Sequence, residues 1–224
     1  MLNWQICLII YMQITLQKNL PVFLNASDVA HSQVWNQQVI FEEAANTHII
    51  APSGSGKTSL IHFLYGLRND FTGEIKYDGI SIKNFDKEKK AALRQQTISI
   101  VFQDLRLFPD QTVYENIAIK RLLSPFHPAD QIVAMASRLG IQNKLQQLCG
   151  TCSYGEQQRI AIIRALQQPF QFILLDEPFS NLDEANRQKA MELIQEEATA
   201  RKASILLADL KKIDYFNAHS ILYL

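Results

Sequence analysis

The run Ala51-Pro52-Ser53-Gly54-Ser55-Gly56-Lys57-Thr58 constrains this chain more than any other feature. It follows a short apolar stretch, His48-Ile49-Ile50-Ala51, and precedes Leu60, Ile61, Phe63 and Leu64 at helical spacing. The pattern predicts a buried strand feeding a helix over 57–67 through a glycine-rich loop. Gly54 and Gly56 let the backbone curl so that successive N–H groups point inward, and the helix dipole adds positive potential at the same end. Such a loop cradles phosphate oxygens. Pro52, Ser53, Gly54, Ser55, Gly56, Lys57, Thr58 and Ser59 are the expected contacts to a nucleoside triphosphate. Lys57 is placed to reach the β- and γ-phosphates, and Thr58 to coordinate Mg²⁺. Ala51 stands where the pattern usually has its first glycine, a position that tolerates a small side chain.

A second feature answers the first. Phe172-Ile173-Leu174-Leu175 is a continuous apolar run that ends in Asp176-Glu177. In parallel α/β sheets, ligands sit at the C-terminal ends of the strands. Asp176 is expected to hold the Mg²⁺ shell through water, and Glu177 to polarise an attacking water as general base.

Elsewhere, strands are expected at 14–17, 21–24, 39–42, 72–79 (closing on an Asp78-Gly79 turn), 97–103, 204–208 and 220–224. Helices are expected over 125–149, 157–167 and 184–202, the second stopping before Pro169. Strands alternating with helices predict an α/β fold with a largely parallel central sheet. Lys+Arg and Asp+Glu are balanced at 22 each, so the basic footprint of a nucleic-acid binder is missing. The three cysteines offer only a lone C-x-x-C, Cys149 to Cys152, with no second pair to make a zinc site; reduced thiols are expected. An odd count without a secretory signal points to the cytoplasm. The apolar run at 6–10 is too short to span a membrane. Residues 1–11 are expected to be a dispensable extension, with a first edge strand as the alternative. The chain stops just after its last expected strand, so no C-terminal regulatory domain is expected.

With Cys152-Ser153-Tyr154-Gly155-Glu156 and the continuation 157–166, the chain resembles the ATP-binding-cassette (ABC) ATPases from about residue 12 to its end. That stretch stands for the family's L-S-G-G-Q signature, with Tyr154 in place of a glycine. The resemblance implies a phosphate-loop NTPase core with a mostly parallel sheet, an N-terminal antiparallel β subdomain and an inserted helical subdomain. As one nucleotide-binding domain, the core would take about 12–103 and 155–224, and the helical subdomain about 104–154. It implies ATP and Mg²⁺ as ligands, and a head-to-tail dimer. In that dimer Ser153, Gly155 and Glu156 of one protomer close over ATP on the other, and Asp183 speaks across the interface. Gln103 corresponds to the glutamine that contacts Mg²⁺ and the attacking water, and Lys57 and Glu177 complete the catalytic set. Phe23 is the candidate adenine-stacking aromatic, with His31 and Trp35 as alternatives. Asp209 falls where the family keeps a histidine on the γ-phosphate, which implies slow turnover. The stretches 93–104 and 108–118 look like the small ATPases of lipoprotein release, macrolide export and bacterial cell division, and more broadly like amino-acid importer ATPases. The implied partner is a separate membrane protein, a permease or a force transmitter. The implied location is peripheral, on the inner face of the cell membrane.

Overall fold

The computed structural model describes residues 12–224, and the readings made for 1–11 lie outside it. Two sheets organise the chain. An antiparallel sheet has the order β2-β1-β4-β5, from β1 (Gln13–Pro21), β2 (Gln38–Glu42), β4 (Phe71–Tyr77) and β5 (Ile80–Ser81). Ile14 and Leu16 on β1 are fully buried while their neighbours are not, so the period-2 alternation puts one face of this sheet on the core.

The second sheet is parallel throughout, in the order β6-β7-β8-β3-β9. It is built from β3 (Thr47–Ile50), β6 (Ile98–Val101), β7 (Phe172–Asp176), β8 (Ser204–Asp209) and β9 (Ser220–Tyr223). Every residue of β6 and β7 is buried, as expected where helices cover both faces of a parallel sheet. Helices α1 (Lys57–Leu64), α5 (Tyr154–Leu166) and α6 (Glu184–Arg201) pack on it. Two core clusters result, meeting across the parallel sheet: Ile173 and Leu175 face one, Phe172 and Leu174 the other.

Local departures from the sequence reading have identifiable causes. No strand forms over 21–24: Pro21 ends β1, and the chain turns with Leu24 N–H donating to the Pro21 carbonyl (3.1 Å). The helix expected over 57–67 ends at Leu64, where Tyr65 caps it and Gly66 takes φ +69°. The helix expected over 125–149 is shorter, α4 (Asp130–Arg138), followed by isolated 3₁₀ turns. An unforeseen helix, α3 (Val113–Leu123), precedes it, started by a Thr112/Glu115 capping box. Helix α5 begins at Tyr154 rather than Gln157, because Ser153 caps it. A short helix α2 (Lys87–Ala92) links β5 to β6.

Candidate functional site

The phosphate loop follows the C-terminal end of β3. Gly56 takes φ +93° at the N-cap of α1, a conformation that strains any side chain; a Cβ there would also lie 3.1 Å from the Trp35 ring. Trp35 is buried beneath the loop, its indole N–H donating to the Ser55 carbonyl (2.9 Å). It is therefore a support and presents no face to a base. His31 is exposed and lies outside the lining of the neighbouring cleft.

That cleft, of about 230 Å³, is lined by Phe23, Ser53, Gly54, Gly56, Lys57, Thr58, Ser59, Gln103 and Glu177. The fold thus gathers residues from four separate segments. Lys57 is buried and folded back, donating to the carbonyls of Ala51 (2.8 Å) and Pro52 (3.0 Å) and lying 3.3 Å from Glu177 Oε1. Thr58 Oγ1 donates to Gln103 Oε1 (3.0 Å). Gln103 follows β6, the strand beside β7, which brings it to the same end of the sheet as Asp176 and Glu177.

Asp176 ends β7, is fully buried, and neither carboxylate oxygen has a hydrogen-bond partner. Burial pushes its carboxyl up to about 6. The nearby Thr58 hydroxyl would favour the charged form, but it has one proton and gives it to Gln103. A buried acid without partners beside a hydroxyl and an amide oxygen is an oxygen donor set suited to a hard divalent cation. Glu177 takes φ +46°, a strained backbone for a non-glycine residue, with its N–H held by the Ala208 carbonyl (2.9 Å).

Asp209 ends β8 beside Ile50 of β3. It lines an adjoining cavity of about 430 Å³ that shares Glu177 with the first and also contains Ser180, Arg187, Lys211 and Lys212. Burial raises the Asp209 carboxyl above the usual range and the Glu177 charge adds to this, against a 2.6 Å bond from the Leu210 N–H.

Ser153, Gly155, Glu156 and Asp183 are not among the residues lining either cavity. Ser153 and Glu156 form a capping box at the head of α5: Ser153 N–H donates to Glu156 Oε2 (2.8 Å) and Glu156 N–H to Ser153 Oγ (3.3 Å). Lys144 adds an ion pair to Glu156 at 3.5 Å. Gly155 sits so close to the 180–182 segment that a Cβ would lie 3.0 Å from the Asn181 carbonyl. The Tyr154 hydroxyl, half-exposed, donates to the Gln103 carbonyl (3.4 Å), so this side chain turns toward its own chain's Gln103 loop. Asp183 N-caps α6 through the Asn186 N–H (2.9 Å).

The sequence reading missed two supporting residues. Gln158, buried on α5, accepts from the Asn181 N–H (3.0 Å) and donates to Ser180 Oγ (3.2 Å), tying the loop after Glu177 to the signature helix. Arg164, also buried, donates to the carbonyls of Leu105 and Arg106, the residues after Gln103 that hold φ +56° and +49°. In sequence both read as ordinary polar positions of an amphipathic helix. Cys149 and Cys152 are free and buried, and burial raises both thiols, as expected of inert cysteines.

Known proteins resemble this chain in sequence and in fold. The family described as ABC transporter matches residues 36–180. Over 141 residues the chain is 38% identical to the cell division ATP-binding protein FtsE of Haemophilus influenzae, covering 62% of this chain and 64% of that one. Over 151 residues it is 35% identical to the lipoprotein-releasing system ATP-binding protein LolD of Legionella pneumophila, covering 66% of each. The macrolide export ATP-binding/permease protein MacB of Nitrosomonas europaea is 34% identical over 162 residues, 71% of this chain and 25% of that protein. The chain thus spans somewhat less than two thirds of the first two relatives and a quarter of the third. In three dimensions it superposes on the dimeric cassette MJ0796, a bacterial ABC transporter cassette, with a TM-score of 0.81 at 22% identity, covering 94% of each chain; this shows a common fold. The chain belongs to the ABC transporter family.

Proposed function

We propose that this chain binds ATP with Mg²⁺ and hydrolyses it, as one half of a head-to-tail dimer that powers a separate membrane protein. The observation that carries the reading is the single cleft in which the phosphate loop, Lys57, Thr58, Gln103 and Glu177 converge beside the partnerless Asp176. The loop N–H groups and the α1 dipole hold the phosphates. Lys57 leaves the Ala51 and Pro52 carbonyls for the β- and γ-phosphate oxygens, which also frees Glu177. Glu177 then accepts the proton of the attacking water, and Gln103 orients that water. Thr58, Gln103 and Asp176 would hold Mg²⁺, which would neutralise charge on the phosphates. Phe23 stacks on the adenine. Ser153 and Gly155 of one protomer close over the nucleotide of the other, with Glu156 bracing the head of that helix and Asp183 facing the interface.

The relatives are named for cell division, lipoprotein release and macrolide export. They support a partner that transmits force across the bilayer, with this chain peripheral on its cytoplasmic face. No helix among the described residues is long and apolar enough to cross a membrane. Regulation of a membrane machine without transport is the second use of the same ATPase. A third reading, a nucleotide-binding module with slow turnover, is favoured by one observation: Asp209 and Glu177, two acids, border one cavity.

Phosphate release by the wild type and by Glu177→Gln tests the reading. The wild type is expected to turn over at least about 100-fold faster than the variant, both binding ATP alike. Equal rates would favour the binding module. Co-purification of tagged Glu177→Gln from solubilised membranes then identifies the partner: a multi-span permease indicates transport, and a protein with few spans and a large extracytoplasmic domain indicates force transmission.

A further inference from the structure

We infer that Arg68 is a positioning residue for the nucleotide base, acting through Phe23; the inference rests on the nucleotide reading above. Phe23 stands at the rim of the cleft, about half exposed, in the turn after β1. The Arg68 guanidinium carbon lies 5.5 Å from the centroid of the Phe23 ring and 5.5 Å from that of Phe63. Phe63 is buried on α1 and meets Trp35 edge-on at 6.3 Å, and Trp35 holds the Ser55 carbonyl of the phosphate loop. Arg68 therefore joins the exposed ring to the buried aromatic support of that loop.

The guanidinium is itself fixed. Its Nε donates to Asp70 Oδ1 (2.9 Å), an Nη pairs with the other Asp70 oxygen, and Nη1 donates to Ser59 Oγ (3.0 Å). The Asp70 carbonyl accepts from the Val22 N–H (3.0 Å), one residue before Phe23. The 68–70 segment thus grips the Phe23 turn twice, by a backbone bond and by a cation on the ring. A planar, weakly hydrated guanidinium can hold one face of an aromatic ring and leave the other free. A ring already held loses less rotamer freedom when a purine stacks on it. Holding the Phe23 ring benefits only ligands that carry a base, whereas the bond to Ser59 would act on any phosphate ligand, so the two effects separate by ligand.

Calorimetric titration with MgATP and with Mg-tripolyphosphate, which has no base, separates the two effects. Arg68→Gln is expected to weaken MgATP about three- to tenfold and to leave tripolyphosphate unchanged. Arg68→Lys is expected to fall between, since it keeps the charge but loses the planar fork; it carries the test if Arg68→Gln unfolds. In a Phe23→Ala background, Arg68→Gln is expected to add no further loss. Equal weakening of both ligands would mean that Arg68 acts through Ser59 and the loop, and would overturn the inference. So would unchanged MgATP affinity, or additive losses with Phe23→Ala. A wild type that binds neither ligand overturns the nucleotide reading itself, a result distinct from these because tripolyphosphate is then lost as well.

Discussion

Asp209 concentrates the electrostatic tension of the site. Its carboxyl is driven upward by burial and by Glu177, and on the proposed binding mode a carboxylate there would oppose the γ-phosphate where an imidazole would donate to it. Asp209→His is expected to raise phosphate release about three- to tenfold, one positioned donor being worth of that order or more. An unchanged rate in a folded variant would reject this placement of the β8 end. His48 makes a different prediction. It is buried on β3 against Phe216, its Nε2 lacks a partner, and burial drives the imidazole down to about 4. Lys212 pushes the same way, and the Lys211 backbone opposes it. Unfolded, the ring titrates near its ordinary 6.5, so between those values the unfolded state binds the extra proton and stability falls as the pH falls. Between pH 7.5 and 5 the wild type is expected to lose about 2 kcal/mol more than His48→Leu, read from urea unfolding at both pH values. Parallel losses in the two proteins would assign the acid sensitivity to other groups.

At the scale of elements, the site depends on ties between segments that are not neighbours in sequence. Helix α5 carries the signature at its head and Gln158 one turn further on, and Gln158 fastens the 177–181 loop through three hydrogen bonds, to the Glu177 carbonyl, Ser180 Oγ and the Asn181 N–H. Gln158→Leu is expected to leave the Asn181 N–H unsatisfied and to cost about 1–3 kcal/mol of stability. Turnover should fall more than ATP affinity, because Glu177 begins that loop while the phosphate loop lies elsewhere. Thermal melts with MgATP binding and phosphate release check this; equal losses in binding and turnover would contradict it. Arg164, on the same helix, plays the corresponding part for the loop after Gln103.

At the scale of the molecule, Ser153 and Gly155 lie outside the cleft that holds the phosphate loop. A complete site on the proposed mechanism therefore needs a second copy. Glu177→Gln with MgATP is expected to run as a dimer in size-exclusion chromatography. Adding Ser153→Arg should return it to a monomer that still binds ATP, with about 1 kcal/mol lost from the removed helix cap. A dimer that survives this change would place the interface elsewhere.

Much of this was legible in the amino-acid order, because the phosphate loop and the strand ending in Asp176-Glu177 are local patterns, whereas the Ser153 cap that starts α5 three residues early was not read. A loop's curl and a strand's burial depend on residues within a few positions, so spacing alone reports them. The start of α3 was written as plainly in Thr112 and Glu115, but the apolar-polar mixture downstream masked it. Other features were decided by packing between distant segments. Trp35 reads as a candidate base platform until the fold buries it under the loop. Tyr154 reads only as a replacement for a glycine until the fold sets its hydroxyl against the Gln103 carbonyl. Arg68, Gln158 and Arg164 are unremarkable polar letters whose partners lie far along the chain. The sequence by itself determined the family, the core sheet and the cleft-lining residues. Only the tertiary structure decided which side chains hold those residues in place, because that depends on contacts no local pattern encodes.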